Sequence, residues 1–186
     1  RSLASALDSL PNRFPSAANE SHLRLLAKLY TPEEASLAAQ LLPSMEPLQE
    51  LASRIASELP KITPLLKGMA QRGLIGMGKT DSGRLGVKLI PFVVGIYENQ
   101  NGRLDAELAQ LFEEYYQSGF AEMLRQTPSV HRVIPVQQTV KNNMEVLPFE
   151  GVEGLIERMQ SYGVIPCICR QQTALVGKGC DHPLEV

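Results

Sequence analysis

The chain has 186 residues, a formal net charge of −2, 44% hydrophobic and 20% charged residues, which suits one large or two small globular domains built on an apolar core. That near-neutral balance excludes wholesale attraction to nucleic acid or to an anionic membrane surface, and no run approaches the roughly 18 unbroken apolar residues of a spanning helix. The N-terminus alternates apolar residues with Asp8, Asn12 and Arg13 rather than forming a signal peptide, so a cytoplasmic location with no membrane contact is expected.

The first 42 residues read as helical. Leu3, Leu7 and Leu10 share a face, and the run from His22 to Leu29 repeats the pattern. Thr31-Pro32-Glu33-Glu34 then predicts a helix start, with Thr31 as N-cap, Pro32 at the first helical position and Glu34 closing a capping box; this helix is expected to reach Leu42, before Pro43. Leu48, Leu51, Ala52, Ile55 and Ala56 mark a short helix ending near Pro60. Between Lys61 and Arg72, Ile62, Leu65, Leu66, Met69 and Ala70 form an apolar face, Pro64 falls in the first turn, and Gly73 is the expected C-cap. A hairpin follows, turning at Asp81-Ser82-Gly83 and returning as a strand from Leu85 to Ile90.

Helices followed by a hairpin give the order of a winged helix-turn-helix, and the segment resembles bacterial regulators of that class. Lys61, Lys67, Arg72, Lys79, Arg84 and Lys88 face only Asp81 in this stretch. Such cations suit phosphate contacts through a recognition helix and wing, with Lys61, Lys67, Arg72, Lys79 and Arg84 as candidates. They equally suit a solvated face on a packing module, and only Thr63 and Gln71 offer base-reading groups on that helix. Gly73 to Thr80 also matches the phosphate-loop pattern G-x-x-x-x-G-K-T. That loop needs a strand before it and a helix after it. Here a helix precedes and a strand follows, so a wing hairpin explains the letters better.

Phe92 to Tyr97 is apolar and ends at the turn Asn99-Gln100-Asn101-Gly102. A helix follows, carrying Leu104, Leu108, Leu111, Phe112 and Tyr115, and Pro128 closes this section. Beyond it the pattern predicts a strand at Arg132-Val133-Ile134-Pro135-Val136, a helix from Gly151 to Tyr162 and a strand from Val164 to Cys169. The expected class is thus α+β, mainly helical: a winged-helix domain at 1–93, a helical connector at 94–127 and a small α/β, cysteine-bearing region at 128–186. His22 and His131 have no partner in the sequence and read as surface or structural residues. No Ser–His–Asp spacing or H-E-x-x-H helix suggests catalysis.

All three cysteines, Cys167, Cys169 and Cys180, fall within 14 residues. An odd number without export signals speaks against a disulfide framework. On a strand, Cys167 and Cys169 would share one side and lie too close for an unstrained disulfide. Gly177 and Gly179 would let the chain turn and bring Cys180 back, with backbone N–H groups near sulfur, while Arg170 and Lys178 would offset thiolate charge. Three thiolates suggest most of a 4Fe–4S ligand set. With His182 they suggest a Cys3His zinc site instead, although the spacing is not that of paired zinc ligands. Free or buried thiols are the remaining reading.

The run from Val146-Leu147-Pro148-Phe149 through Ile165-Pro166-Cys167-Ile168-Cys169-Arg170 to Gly177-Lys178-Gly179-Cys180-Asp181-His182-Pro183 resembles a family of bacterial and archaeal 4Fe–4S ferredoxin-type proteins. In that family a helical or winged-helix region precedes a C-x-C-R…G-x-G-C-D-x-P-x-x-x-C segment. The resemblance covers about residues 130–186 best. It implies that Cys167, Cys169 and Cys180 ligate a 4Fe–4S cluster and that Gly177, Gly179 and Arg170 shape its surroundings. It also implies a further Cys and a ferredoxin-like domain beyond Val186, with redox proteins as partners. The sequence lacks the C-x-x-C-x-x-C repeats of such a domain, so it reads as the N-terminal portion of an electron-transfer protein or iron–sulfur oxidoreductase. A redox- or metal-responsive DNA-binding regulator and a zinc-stabilised interaction module are the alternatives.

Overall fold

The computed structural model describes residues 1–125, 127 and 151–179. The expected strand at Arg132–Val136, and with it Pro128, His131, Val146–Phe149, Cys180 and His182, lies outside the described residues. Within them the fold is α+β and mainly helical, with one small antiparallel sheet.

Helix α1 (Ser2–Asp8) buries Leu3 and Leu7, one turn apart, and α2 (Ser21–Leu29) buries His22, Leu25, Leu26 and Leu29. Between them the Asp8 carboxylate accepts a hydrogen bond from the Phe14 N–H at 3.0 Å, which sets the Phe14 ring among Phe92, Tyr115 and His22. His22 is structural: its Nδ1 accepts from the Ala17 N–H at 3.1 Å, and burial holds its pKa below the ordinary value.

Helix α3 (Pro32–Ala38) starts with the expected capping box. Thr31 Oγ1 accepts from the Glu34 N–H at 3.2 Å, and Glu34 Oε2 accepts from the Thr31 N–H at 3.0 Å. It stops four residues short of Leu42 because the following carbonyls find other donors. The Arg54 guanidinium donates to the Gln40 carbonyl, and the Leu89 N–H donates to that of Leu42, each at 2.8 Å.

A two-residue strand β1 (Glu46–Pro47) leads into α4 (Leu48–Arg54), and α5 (Leu59–Gln71) follows. Because α5 begins two residues earlier than the pattern predicts, Pro64 lies inside the helix rather than in its first turn. At its far end the Leu74 N–H bonds the Met69 carbonyl at 2.9 Å, and the Gly73 N–H bonds that of Ala70 at 3.0 Å. This is a Schellman cap on a left-handed Gly73.

The chain then forms the hairpin β2 (Gly76–Lys79) and β3 (Leu85–Lys88), with Met77 opposite Val87 and Lys79 opposite Leu85. β1 pairs with the other edge of β3, Glu46 opposite Val87, giving the order β1-β3-β2. The letters Gly73 to Thr80 therefore end a helix and form a strand, and no phosphate loop exists there.

After an irregular stretch at 92–96 comes a single turn, Glu98–Gln100, and then α6 (Ala106–Tyr115). Asp105 caps α6 by accepting from the Leu108 N–H at 2.7 Å. A wider turn at Tyr116–Phe120 joins α6 to α7 (Ala121–Arg125). Helix α8 (Gly151–Glu157) ends before the predicted Tyr162.

The strand predicted at Val164–Cys169 does not form. Val164 and Ile165 are exposed, no ladder runs through them among the described residues, and helix α9 (Ile168–Leu175) begins inside the predicted strand. The reason is spacing: Ile168 and Gln172, four residues apart, are its buried residues, and they pack α9 on α6. One buried core runs from Leu3 to Ile168. No helix among the described residues is long and apolar enough to cross a membrane.

Candidate metal centre

Cys167 is the N-cap of α9 and Cys169 its second residue. The Cys167 carbonyl accepts the first helical hydrogen bond, from the Gln171 N–H at 3.0 Å. The N–H groups of Ile168, Cys169 and Arg170 thus have no acceptor within the helix, and together with the helix dipole they favour negative charge at this end. The two cysteines thus stand at the start of a helix and not on a strand. Cys167 is half-buried and Cys169 exposed.

Several contacts hold this end in place. Asn101 Nδ2 donates to the carbonyl of Pro166, the residue before Cys167. Gln172, buried, donates to Glu113 Oε2 at 3.2 Å. At the other end of α9, Lys178 Nζ pairs with Glu113 Oε1 at 2.5 Å. Lys178 therefore fastens α9 to α6, where the sequence suggested that it offsets thiolate charge. Its ammonium is the main reason the Glu113 carboxyl is held below the usual range.

Gly177, at φ +73°, follows the last turn of α9. Its N–H bonds the Ala174 carbonyl at 3.1 Å, and the Lys178 N–H bonds that of Thr173 at 2.7 Å, a second Schellman cap. The chain then folds back, so that a methyl group on Gly179 would stand 3.7 Å from Ala174 Cα. The expectation that this turn returns Cys180 toward the other cysteines concerns a residue outside the described ones. Arg170 sits in the first turn of α9, half-buried. Cys180 and His182 lie outside the described residues, and no group of three His, Cys, Asp or Glu side chains fit for a metal occurs among the described ones.

Sequence reasoning missed two residues that carry buried polar atoms without a partner among the described residues, Tyr97 and Asn101. Tyr97 is 2% exposed, and its ring stacks on Phe112 with centroids 3.8 Å apart and planes within 10°. Its hydroxyl is buried with no hydrogen-bond partner among the described residues, as is Asn101 Oδ1. Leaving a buried polar group unpaired costs about 1–3 kcal/mol, so such atoms point to a missing partner. Burial is the main reason the Tyr97 pKa is raised, so the phenol stays protonated. Burial likewise pushes the Cys169 thiol up, with Cys167 and Glu98 adding to it and its own backbone N–H pulling weakly the other way. Without a cation, then, Cys169 resists ionisation; a bound metal reverses that balance. Two soft sulfurs at the N-terminal end of a helix are donors of the kind that suits a thiolate-bound inorganic group. In the sequence, Tyr97 closes an apolar run and nothing marks it as polar machinery.

The five candidate phosphate-binding cations divide. Arg72 pairs with Glu34 and donates to the carbonyls of Leu29 at 3.2 Å and Gly68 at 3.3 Å, so it fastens α5 to α2 and α3. Arg84 pairs with Glu50 at 2.7 Å. Lys61, Lys67 and Lys79 are exposed and form no ion pair among the described residues. No family model, no curated protein and no solved structure matches the chain.

Proposed function

We propose that Cys167, Cys169 and Cys180 hold a 4Fe–4S cluster, and that the chain is an electron-transfer protein or the N-terminal portion of an iron–sulfur oxidoreductase. The observation that carries this reading is the pair of cysteines at the start of α9, Cys167 as its N-cap and Cys169 as its second residue, where the helix dipole favours negative charge. When bound, such a cluster takes up and releases single electrons, at a potential set by hydrogen bonding and burial around its sulfurs. Cys167 and Cys169 supply two thiolates from one turn, and Cys180 follows the fold-back at Gly177–Gly179. His182, or a thiol from outside this sequence, supplies the fourth ligand. Arg170 contributes positive charge beside the thiolates. The partners of such a centre are redox proteins or a ferredoxin-like domain beyond Val186.

The test is anaerobic reconstitution of the 186-residue chain with iron and sulfide, followed by metal and acid-labile sulfide analysis. The proposal expects iron and sulfide in equal amounts, lost in C167S and C169S. Zinc without sulfide would favour a zinc-stabilised interaction module, and thiols that hold neither metal would remove the proposal.

A second reading draws on a different observation. The short β1 before α4 and α5, the hairpin after them, and the order β1-β3-β2 support a winged helix with α5 as its recognition helix. A redox- or metal-responsive DNA-binding regulator would use the exposed Lys61, Lys67 and Lys79. Reversing all three to Glu should then lower the log–log salt slope of duplex binding by about 3, near 0.9 per phosphate contact. Absence of duplex binding at low salt would leave this fold as a packing module.

A further inference from the structure

We propose that Glu50 is an internal stand-in for phosphate, holding the wing residue Arg84 in reserve until the backbone of a duplex takes its place. This rests on the winged-helix reading and concerns the regulation of that same surface. The two cations that flank the wing differ. Lys79, the last residue of β2, is exposed and forms no ion pair among the described residues. Arg84, the residue before β3, is held on two nitrogens: Nη2 donates to Glu50 Oε1 at 2.7 Å and Nε to Ser82 Oγ at 3.1 Å.

The turn is braced around this contact. Ser82 Oγ lies 2.9 Å from Thr80 Oγ1, and the Arg84 carbonyl accepts from the Thr80 N–H at 2.8 Å. Glu50 stands in the first turn of α4, where the helix dipole favours a carboxylate with or without a partner. The pair therefore ties the wing to the helix that precedes α5. A guanidinium fork suits phosphate as well as carboxylate, so Glu50 occupies the group that a duplex would use. The side chains are 51% exposed for Arg84 and 56% for Glu50. The pair thus opens without stranding a buried charge, and a phosphate reaches Arg84 from solvent. An exposed pair of this kind adds little to stability, so one anion can replace the other reversibly.

Binding of the 186-residue chain to a mixed-sequence duplex, followed by fluorescence anisotropy across salt concentrations, tests the exchange. E50Q should tighten binding about threefold, within the range of an exposed ion pair. R84Q should weaken it and lower the log–log salt slope by about 0.9, the loss of a single phosphate contact. In the R84Q background E50Q should have no effect, whereas in the K79Q background its gain should persist. E50A provides a second variant at position 50, with the same outcomes expected. A gain that survives the loss of Arg84 reports plain repulsion between Glu50 and the duplex and overturns the proposal. Unchanged affinity in E50Q and E50A, or an unchanged slope in R84Q, overturns it as well. A wild-type chain that binds no duplex at low salt removes the DNA-binding reading and the proposal together; binding without coupling between positions 50 and 84 removes the proposal alone.

Discussion

Replacing Arg72 by Met removes a guanidinium that ties three helices together while leaving its aliphatic volume largely in place. The Glu34 side chain, 10% exposed, loses its cation and keeps only the Thr31 N–H of the capping box. The carbonyls of Leu29 and Gly68 lose a donor as well. Hydrogen bonds to charged groups contribute about 1.5–3 kcal/mol, and the side chain of Arg72, 37% exposed, is partly screened by solvent, which places the cost near 2 kcal/mol. For a domain of this size that is roughly 4–8 °C in Tm. Urea unfolding followed by circular dichroism should show a lower midpoint at unchanged slope. R72M paired with E34Q should cost less than the sum of the two single variants, since they share one interaction. A cost of R72M below about 0.5 kcal/mol, the ordinary range of surface substitutions, would refute the structural role and return Arg72 to the pool of free surface cations.

The ion pair of Lys178 with Glu113 should be visible as pH dependence. The folded-state pKa of Glu113 is depressed, so its contribution is full above the ordinary carboxyl value of 4.5 and lost as pH falls through the folded value. K178M should therefore lower the urea midpoint at pH 7, by about 0.5–1 kcal/mol given the exposed lysine, and converge with wild type near pH 3; a constant difference would disprove the link. Gly73 and Gly177 share a left-handed φ, of +71° and +73°, but a methyl group on Gly73 would lie 2.3 Å from Asn99 Cβ, whereas nothing stands within 4 Å of one on Gly177. G177A should cost about 1–2 kcal/mol and G73A clearly more, measured by the same unfolding; equal costs would argue against the packing at Asn99.

Local rules carried the sequence reading wherever the local signal was strong. The capping box at Thr31–Glu34 and the glycine stop at Gly73 were legible because each depends on residues within one or two turns. So was the hairpin around Asp81–Gly83. The end of α3 was not, since it is decided by Arg54 and by the Leu89 N–H, residues far along the chain. Ile165-Pro166-Cys167-Ile168 reads as extended from its β-branched residues and proline. The helix of Ile168–Leu175 prevails because Ile168 and Gln172 have α6 to pack against, while Val164 and Ile165 lack a partner strand among the described residues. At the candidate centre, clustering pointed to Cys167 and Cys169, and the extended geometry expected for them gives way to the start of a helix. Tyr97 and Asn101 escaped notice because their significance lies in what they fail to bond, which only packing reveals. Arg72 and Arg84 counted as basic surface by composition, and their carboxylate partners Glu34 and Glu50 lie 38 and 34 residues away.

Mass-spectrometric footprinting of the thiols tests convergence most directly. The chain is loaded without oxygen, exposed briefly to an alkylating reagent, and compared with the same protein after chelation. The account expects Cys167, Cys169 and Cys180 to be protected together and to become reactive together as metal is withdrawn. Labelling of Cys180 at the same rate in loaded and stripped protein, with the other two protected, would contradict a shared centre.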